Sequence, residues 1–240
     1  MAVDEALLGR ARSSGECVVR LYQWSRPTLS LGRNQTARGH YDLDRARSLG
    51  IDFVRRPTGG RAVLHHRELT YSISGPVALL GTLRESYARI NRLLLGALGA
   101  LGVHAAVAAP SERAPAPGLA PCFDTPGAGE LTVGGRKLVG SAQWRDREAL
   151  LQHGSILIED DQALATTLLR APAPVPPPAA SLRTLLSHVP TAADLADAVH
   201  RAIVTMEDEE ASRLVVDAAL EHSIASAHAH FLDEHWTWRR

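Results

Sequence analysis

Between Asp52 and Leu101 the apolar residues change their period without any regular alternation of strand and helix, and this narrows the folds open to the chain. Asp52 to Arg56 reads as a strand and Pro57-Thr-Gly-Gly as a turn, with Arg61 to His65 and Glu68 to Ser74 as a pair of antiparallel strands. Tyr87, Ile90, Leu94, Leu98 and Leu101 then recur at steps of three and four, making Thr82 to Leu101 the clearest helix. With no βαβ alternation and no internal repeat, the expected class is α+β: a mixed, largely antiparallel sheet flanked by helices.

The remaining elements fit that class. Helices are expected at Val3 to Arg12, Asp42 to Leu49, Asp161 to Leu169, Ala192 to Val204 and Glu209 to Phe231. Strands are expected at Val18 to Trp24, Thr28 to Leu31 and Leu150 to Ile158. Glu130 to Val133 and Lys137 to Trp144 form a hairpin pattern across Gly134-Gly135. Ala108 to Pro121 reads as a loop, and residues 171–178, with five prolines, as a stiff connector. Residues 1–240 are taken as one domain, with a mixed core over 1–170 and a mainly helical part over 179–240.

Composition excludes several functions. A net charge of zero makes no electrostatic claim on nucleic acid or an anionic membrane. The longest apolar stretch, Leu93 to Leu101, is too short to span a bilayer, and the first residues carry Asp4 and Glu5 rather than a signal-peptide core. The expected location is the cytoplasm. Two cysteines are too few for a disulfide framework or a zinc cluster, so no metal is expected. Cys17 opens an apolar run and is expected to be a buried strand residue; Cys122, in Pro121-Cys-Phe-Asp-Thr-Pro-Gly, is the candidate for chemistry. Lys137 is the single lysine in a chain with 26 basic residues, where arginine has taken the ordinary surface positions. A lysine is a point charge able to lose its proton when desolvated, which arginine is not.

Three strings could carry chemistry. In Arg55-Arg-Pro-Thr-Gly-Gly-Arg-Ala-Val-Leu-His65, two glycines between strands allow close backbone approach to a ligand. The alternative there is a tight turn flanked by solvated arginines. No Gly-Lys-Ser/Thr follows, and a strand comes next, so neither a Walker loop nor a dinucleotide fingerprint fits. In Gly135-Arg-Lys-Leu-Val-Gly-Ser-Ala-Gln143, alternation is expected to put Lys137, Val139 and Ser141 on one face. The small residues Gly140, Ser141 and Ala142 would leave space for a substrate chain. His153-Gly-Ser-Ile is the third, although a strand histidine is more often a bonded core residue than a catalyst.

These strings, with Glu68-Leu-Thr-Tyr-Ser between the first and second, occur in an order that resembles the catalytic domain of the biotin/lipoate protein ligase superfamily. The likeness runs from Ala2-Val-Asp-Glu-Ala-Leu-Leu to Trp236-Thr-Trp-Arg-Arg. Cys122-Phe-Asp is similar to the cysteine motif of its octanoyltransferase branch, and Lys137 falls where that branch keeps a lysine. ATP-dependent lipoate ligases typically have a third glycine where Arg61 stands, and often an accessory C-terminal domain for which no room is expected here. Relatives usually have a short stretch before the first helix, so an edge strand is expected to be absent or the start misassigned.

The resemblance implies an octanoyltransferase acting through a thioester on Cys122, with Lys137 as its catalytic partner. The implied donor is octanoyl-acyl carrier protein, and the implied acceptor a lysine of a lipoyl domain or the glycine-cleavage carrier protein. No cofactor is expected, ATP being needed only if the chain is instead a lipoate ligase. The implied substrate-binding residues are Arg56, Thr58, Gly59, Gly60, His65, Tyr71, Ser72, Gly140, Ser141, Ala142, His153 and Gly154. Amides around Gly59-Gly60 are candidates for an oxyanion site, and Arg55, Arg56 and Arg61 for contact with an acidic carrier. A third possibility is an adaptor that binds lipoyl domains without catalysis.

Overall fold

The computed structural model describes residues 1–109, 123 and 126–240; Cys122 lies outside the described residues. Elements follow in the order α1 (Ala2–Ser14), β1 (Val18–Tyr22), β2 (Thr28–Leu31), α2 (Leu43–Ser48), β3 (Asp52–Arg55), β4 (Val63–His65) and β5 (Glu68–Pro76). Next come α3 (Val77–Leu80), α4 (Leu83–Ala100), β6 (Ala106–Val107), β7 (Leu131–Val133), β8 (Arg136–Arg145) and β9 (Ala149–Leu157). The remainder is helical: α5 (Ala163–Thr166), α6 (Leu182–Leu185), α7 (Ala192–Met206), α8 (Ala218–Leu232) and α9 (Glu234–Thr237). Among the described residues no helix is long and apolar enough to cross a membrane.

The strands form two sheets. The larger runs β1-β5-β9-β8-β7-β6, antiparallel throughout. The smaller runs β3-β2-β4, with β2 parallel to β3 and antiparallel to β4. The expected α+β class and the mostly antiparallel sheet are therefore present. The expected antiparallel pairing of β4 with β5 is not: the two strands belong to different sheets. His66-Arg67 carries the chain from one sheet to the other, and the Arg67 carbonyl accepts the amides of Ile158 and Glu159. Arg67 also pairs with Glu159 and Asp161, which fixes the turn beyond β9.

Every position of β9 is buried, because the strand is covered on both faces. On one face Leu150 and Ile156 join Tyr71, Ile73 and the α4 residues Ile90, Leu94 and Leu98 in the main core. On the other, Ala149 and Leu151 pack on Leu8 and Ala11 of α1. The amphipathic pattern behind α4 is anchored by a capping box, in which Thr82 Oγ1 accepts the Glu85 amide and the Glu85 carboxylate accepts the Thr82 amide. The later helices form an outer layer: α7 packs on α4 through Leu93, Ala97, Ala198 and Val199, and α8 on α1 through Ala6, Leu7 and Leu220.

Several boundaries shift. The helix expected at Glu209 to Phe231 starts only at Ala218, where the Asp217 carboxylate caps it by accepting the Leu220 amide. The helix expected at Asp161 to Leu169 is the single turn of α5. Cys17 is exposed just ahead of β1, so it is not the buried strand residue expected of it. Its run of apolar neighbours begins the strand one residue later.

Candidate active site

A cavity of about 340 Å³ lies between the two sheets. The smaller sheet turns Leu29, Leu31 and Leu64 outward into a core of their own and presents Ser30, Val63 and His65 to the cavity. The larger sheet answers with Thr70, His153, Ser155, Gly140 and Ala142, whose registers align Ala142 with His153 and Gly140 with Ser155.

Lys137 reaches the same cavity through an irregularity in β8. Its register with β7 shifts between Leu131, paired with Val139, and Thr132, paired with Lys137. Leu138 is thus an extra residue, a β-bulge that re-aims its neighbour. Lys137, Val139 and Ser141 consequently do not share a face as alternation had suggested. Val139 packs in the main core, Ser141 Oγ bonds Tyr71 Oη at 2.6 Å, and Lys137 lies beside Gly140.

The Lys137 side chain is 1% exposed, with Nζ 2.7 Å from Glu130 Oε1. Nζ also sits 4.6 Å from the ring centre of Phe123. A cation over a ring face gains electrostatically from the ring quadrupole, more so out of water. Phe123 is itself buried against Val63, Leu157 and Ala179. Gly140 makes this arrangement possible, since a Cβ there would come within 2.8 Å of Lys137 Cε and 3.0 Å of Phe123 Cζ.

Two imidazoles face the cavity. His153 Nε2 is 2.6 Å from Thr58 Oγ1, and its Nδ1 is 3.7 Å from Asp4 Oδ2. Burial lowers the His153 pKa against the opposing pull of Asp4, so the ring is held neutral. His65 is held more tightly: Nδ1 is 2.7 Å from Glu68 Oε1, Nε2 is 2.7 Å from Ser30 Oγ, and Trp24 stacks on the ring at 4.4 Å. Thr70 and Ser155 hydroxyls also donate to Glu68 Oε1, at 2.6 and 2.8 Å.

Arg56 braces the turn between β3 and β4. Its guanidinium donates to the carbonyls of Ser30, Gly59 and Arg61 and to Ser30 Oγ. Gly32 must be glycine for this turn to sit where it does, since a Cβ there would overlap the Gly60 carbonyl. Arg55, Arg56 and Arg61 are all buried, so they are not the surface for an acidic carrier that the sequence suggested. Arg55 instead donates to the Gly32, Gln35 and Thr237 carbonyls, and burial together with Arg239, Arg240 and Arg56 lowers its pKa to about 10.

Of the residues singled out in the sequence, Arg56, Gly60, His65, Lys137, Gly140, Ser141, Ala142, His153 and Gly154 line the cavity. Four stand behind the lining. Thr58 holds His153, and Gly59 holds Arg56. Tyr71 faces the main core, where burial raises its pKa to about 12, and Ser72 donates to Asp4 on the α1 side. Ser30, Thr70, Glu130 and Ser155 were missed. Ser30, Thr70 and Ser155 are small hydroxyl residues within strands and Glu130 stands directly ahead of β7, positions that carry little signal of their own.

Two facing sheets, a cavity between them and a buried lysine reaching it define a class that comparison identifies. A model of the lipoyl protein ligase A/B catalytic domain matches residues 1–204, and the chain belongs to that family. Among its relatives is octanoyltransferase LipM of Carboxydothermus hydrogenoformans, 48% identical over 165 residues that make up 67% of this chain and 61% of that protein. The octanoyltransferase LipM of Kyrpidia tusciae is 48% identical over 182 residues, 72% of this chain and 66% of that protein. The chain thus spans a little under two thirds of the length of these relatives. Its fold is also similar to the structure of a bi-partite lipoate protein ligase and its E2 lipoyl domain from Thermoplasma acidophilum. The TM-score is 0.78 at 20% identity, covering 99% of this chain and 89% of that one.

Proposed function

We propose that the protein is an octanoyltransferase of protein lipoylation, taking octanoyl from acyl carrier protein onto Cys122. The acyl group then passes to a lysine of a lipoyl domain or the glycine-cleavage carrier protein. The observation that carries this reading is the stacking of Lys137 Nζ on Phe123, the residue bonded to Cys122, at the wall of the cavity. The names of the relatives support it.

Chemistry follows from the charge. A free thiol has a pKa of about 8.5 and is mostly protonated at neutral pH. An ammonium nearby favours the thiolate, which attacks the thioester carbonyl and displaces the carrier's sulfur. The apolar part of the cavity receives the chain, and burying about six methylenes at roughly 0.8 kcal/mol each supplies on the order of 5 kcal/mol. The Gly60 turn is the candidate for stabilising the oxyanion. No cofactor enters this scheme.

The test is intact-mass spectrometry of the protein mixed with octanoyl-acyl carrier protein without ATP. One octanoyl adduct, lost in Cys122→Ser and slowed in Lys137→Arg, is expected. Acylation that requires ATP and lipoate and survives Cys122→Ser would make it a lipoate ligase. Carrier binding without transfer would make it an adaptor.

A further inference from the structure

Transfer to an amine sets a second problem that Cys122 and Lys137 do not solve. The acceptor lysine arrives as an ammonium, since a lysine side chain has a pKa of about 10.4, and it must lose a proton before it can attack. Lys137 is engaged with Glu130 and Phe123 and is assigned to the thiol. A separate base is needed, and the cavity holds one.

Resting on the octanoyltransferase reading, we propose that Ser30, His65 and Glu68 form a proton relay that deprotonates the incoming acceptor amine. Ser30 and His65 both line the cavity. Ser30 Oγ accepts from Arg56 Nη1 at 3.0 Å, which turns its own proton toward His65 Nε2, 2.7 Å away. In the neutral ring the Nδ1 proton goes to Glu68 Oε1 at 2.7 Å, leaving Nε2 as the acceptor. The carboxylate is the group that stabilises the imidazolium formed, as in other hydroxyl–imidazole–carboxylate arrangements. Trp24 fixes the ring plane by stacking, and its Nε1 donates to Thr70 Oγ1, which donates to Glu68.

His153 is the rival imidazole and is less suited. Its acid lies at 3.7 Å, burial disfavours its protonation, and its hydroxyl partner Thr58 is not in the cavity lining. Among the described residues the other charged side chains lining the cavity are Arg56, Arg61, Lys137 and Glu130.

The proton balance is complete. One N–H proton of the ammonium passes to Ser30 Oγ as the Ser30 proton moves to His65 Nε2. The freed lone pair attacks the octanoyl carbonyl on Cys122, forming the C–N bond. The C–S bond breaks as the intermediate collapses, and a second N–H proton restores the thiol. His65 returns its proton to water.

Because acylation of Cys122 and discharge to the amine are separate steps, the relay predicts a split. Wild type, Ser30→Ala and His65→Gln are loaded from octanoyl-acyl carrier protein, followed by intact mass, then offered a lipoyl domain or hydroxylamine. Hydroxylamine is uncharged at neutral pH and needs no base. Discharge to the lipoyl domain is expected to fall about 100-fold more than loading does, the scale of a general base. Discharge to hydroxylamine is expected to fall no more than loading does. Unchanged discharge to the lipoyl domain would overturn the relay. A matched fall in loading and both discharges would reduce these residues to structural supports. Ser30→Ala removes one hydroxyl, so it serves if His65→Gln does not fold. Failure of the wild type to load is a different result, which overturns the Cys122 reading itself.

Discussion

Lys137 Nζ and Glu130 Oε1 stand 2.7 Å apart, with their side chains 1% and 9% exposed. Glu130 also accepts the Gly127 amide at 2.6 Å, so its carboxylate holds both the lysine and the turn before β7. Removing one member of a buried pair strands the other, at a cost of about 3–5 kcal/mol. Glu130→Gln, which keeps a hydrogen-bonding oxygen, is expected to lower unfolding free energy by about 2–3 kcal/mol in urea. Adding Lys137→Met should recover part of that loss. Equal stability of Glu130→Gln and wild type would show that the pair contributes nothing.

Two glycines in neighbouring strands are expected to fail differently. A Cβ at Gly154 would overlap the Gly140 carbonyl and approach Tyr71 Cε1 to 2.7 Å, with backbone and a packed ring unable to yield. Gly154→Ala should cost about 2–3 kcal/mol in denaturant titration, as overpacking does. At Gly140 the obstacles are the ends of Lys137 and Phe123, which can move. Gly140→Ala should leave the denaturation midpoint nearly in place while lowering octanoyl loading about tenfold or more. The reverse ranking would contradict the packing described.

Acid should weaken the fold in two stages. Burial keeps the folded His153 ring from taking a proton that the unfolded chain takes near its ordinary pKa of about 6.5, so stability falls as pH drops through that value. Asp4 behaves separately: burial pushes its pKa up, but His153, the amino terminus and Arg20 outweigh this and hold it well below the carboxylate range. Its contribution is present above about pH 3.9 and is lost as pH falls below it. Urea midpoints measured from pH 8 to pH 3 should show both losses, and His153→Gln should remove the upper one and shrink the lower, since His153 is one of the groups holding Asp4 down. A profile flat between pH 7 and pH 5 would refute the first.

At the start of α4, Thr82 and Glu85 satisfy each other's backbone amides. Thr82→Ala should cost about 1 kcal/mol, and Thr82→Ser almost nothing, by thermal or chemical unfolding. Equal losses in the two variants would show that the cap oxygen is not what matters.

Periodicity made α4 legible, because it buries one face whose period the sequence repeats, whereas β5 and β9 are buried on both faces and were legible only as runs bounded by turn residues. Sheet membership was not legible. Nothing in Arg61 to Ser74 shows that His66-Arg67 switches sheets, since that depends on the carbonyl of Arg67 meeting amides some ninety residues later in the chain. At the site, the glycine-rich strings and Lys137 stood out by composition. Glu130 and Ser30 did not, because a carboxylate just ahead of a strand or a hydroxyl within one gains meaning only from what lies across the cavity. Arg56 was named both for the ligand site and for a carrier surface; its burial overturns only the second, and its donors serve as scaffolding for carbonyls.

The bulge at Leu138 has a consequence at the level of the gene. The chain's single lysine faces the cavity because one extra residue interrupts the alternation of β8. An in-frame deletion of that codon would alter no residue of the lining and would restore the strict zigzag, with Lys137 and Gly140 still on one face on either side of Val139. What such a deletion would change is spacing: the ammonium would stand one residue, about 3.3 Å, closer to Gly140 along the strand.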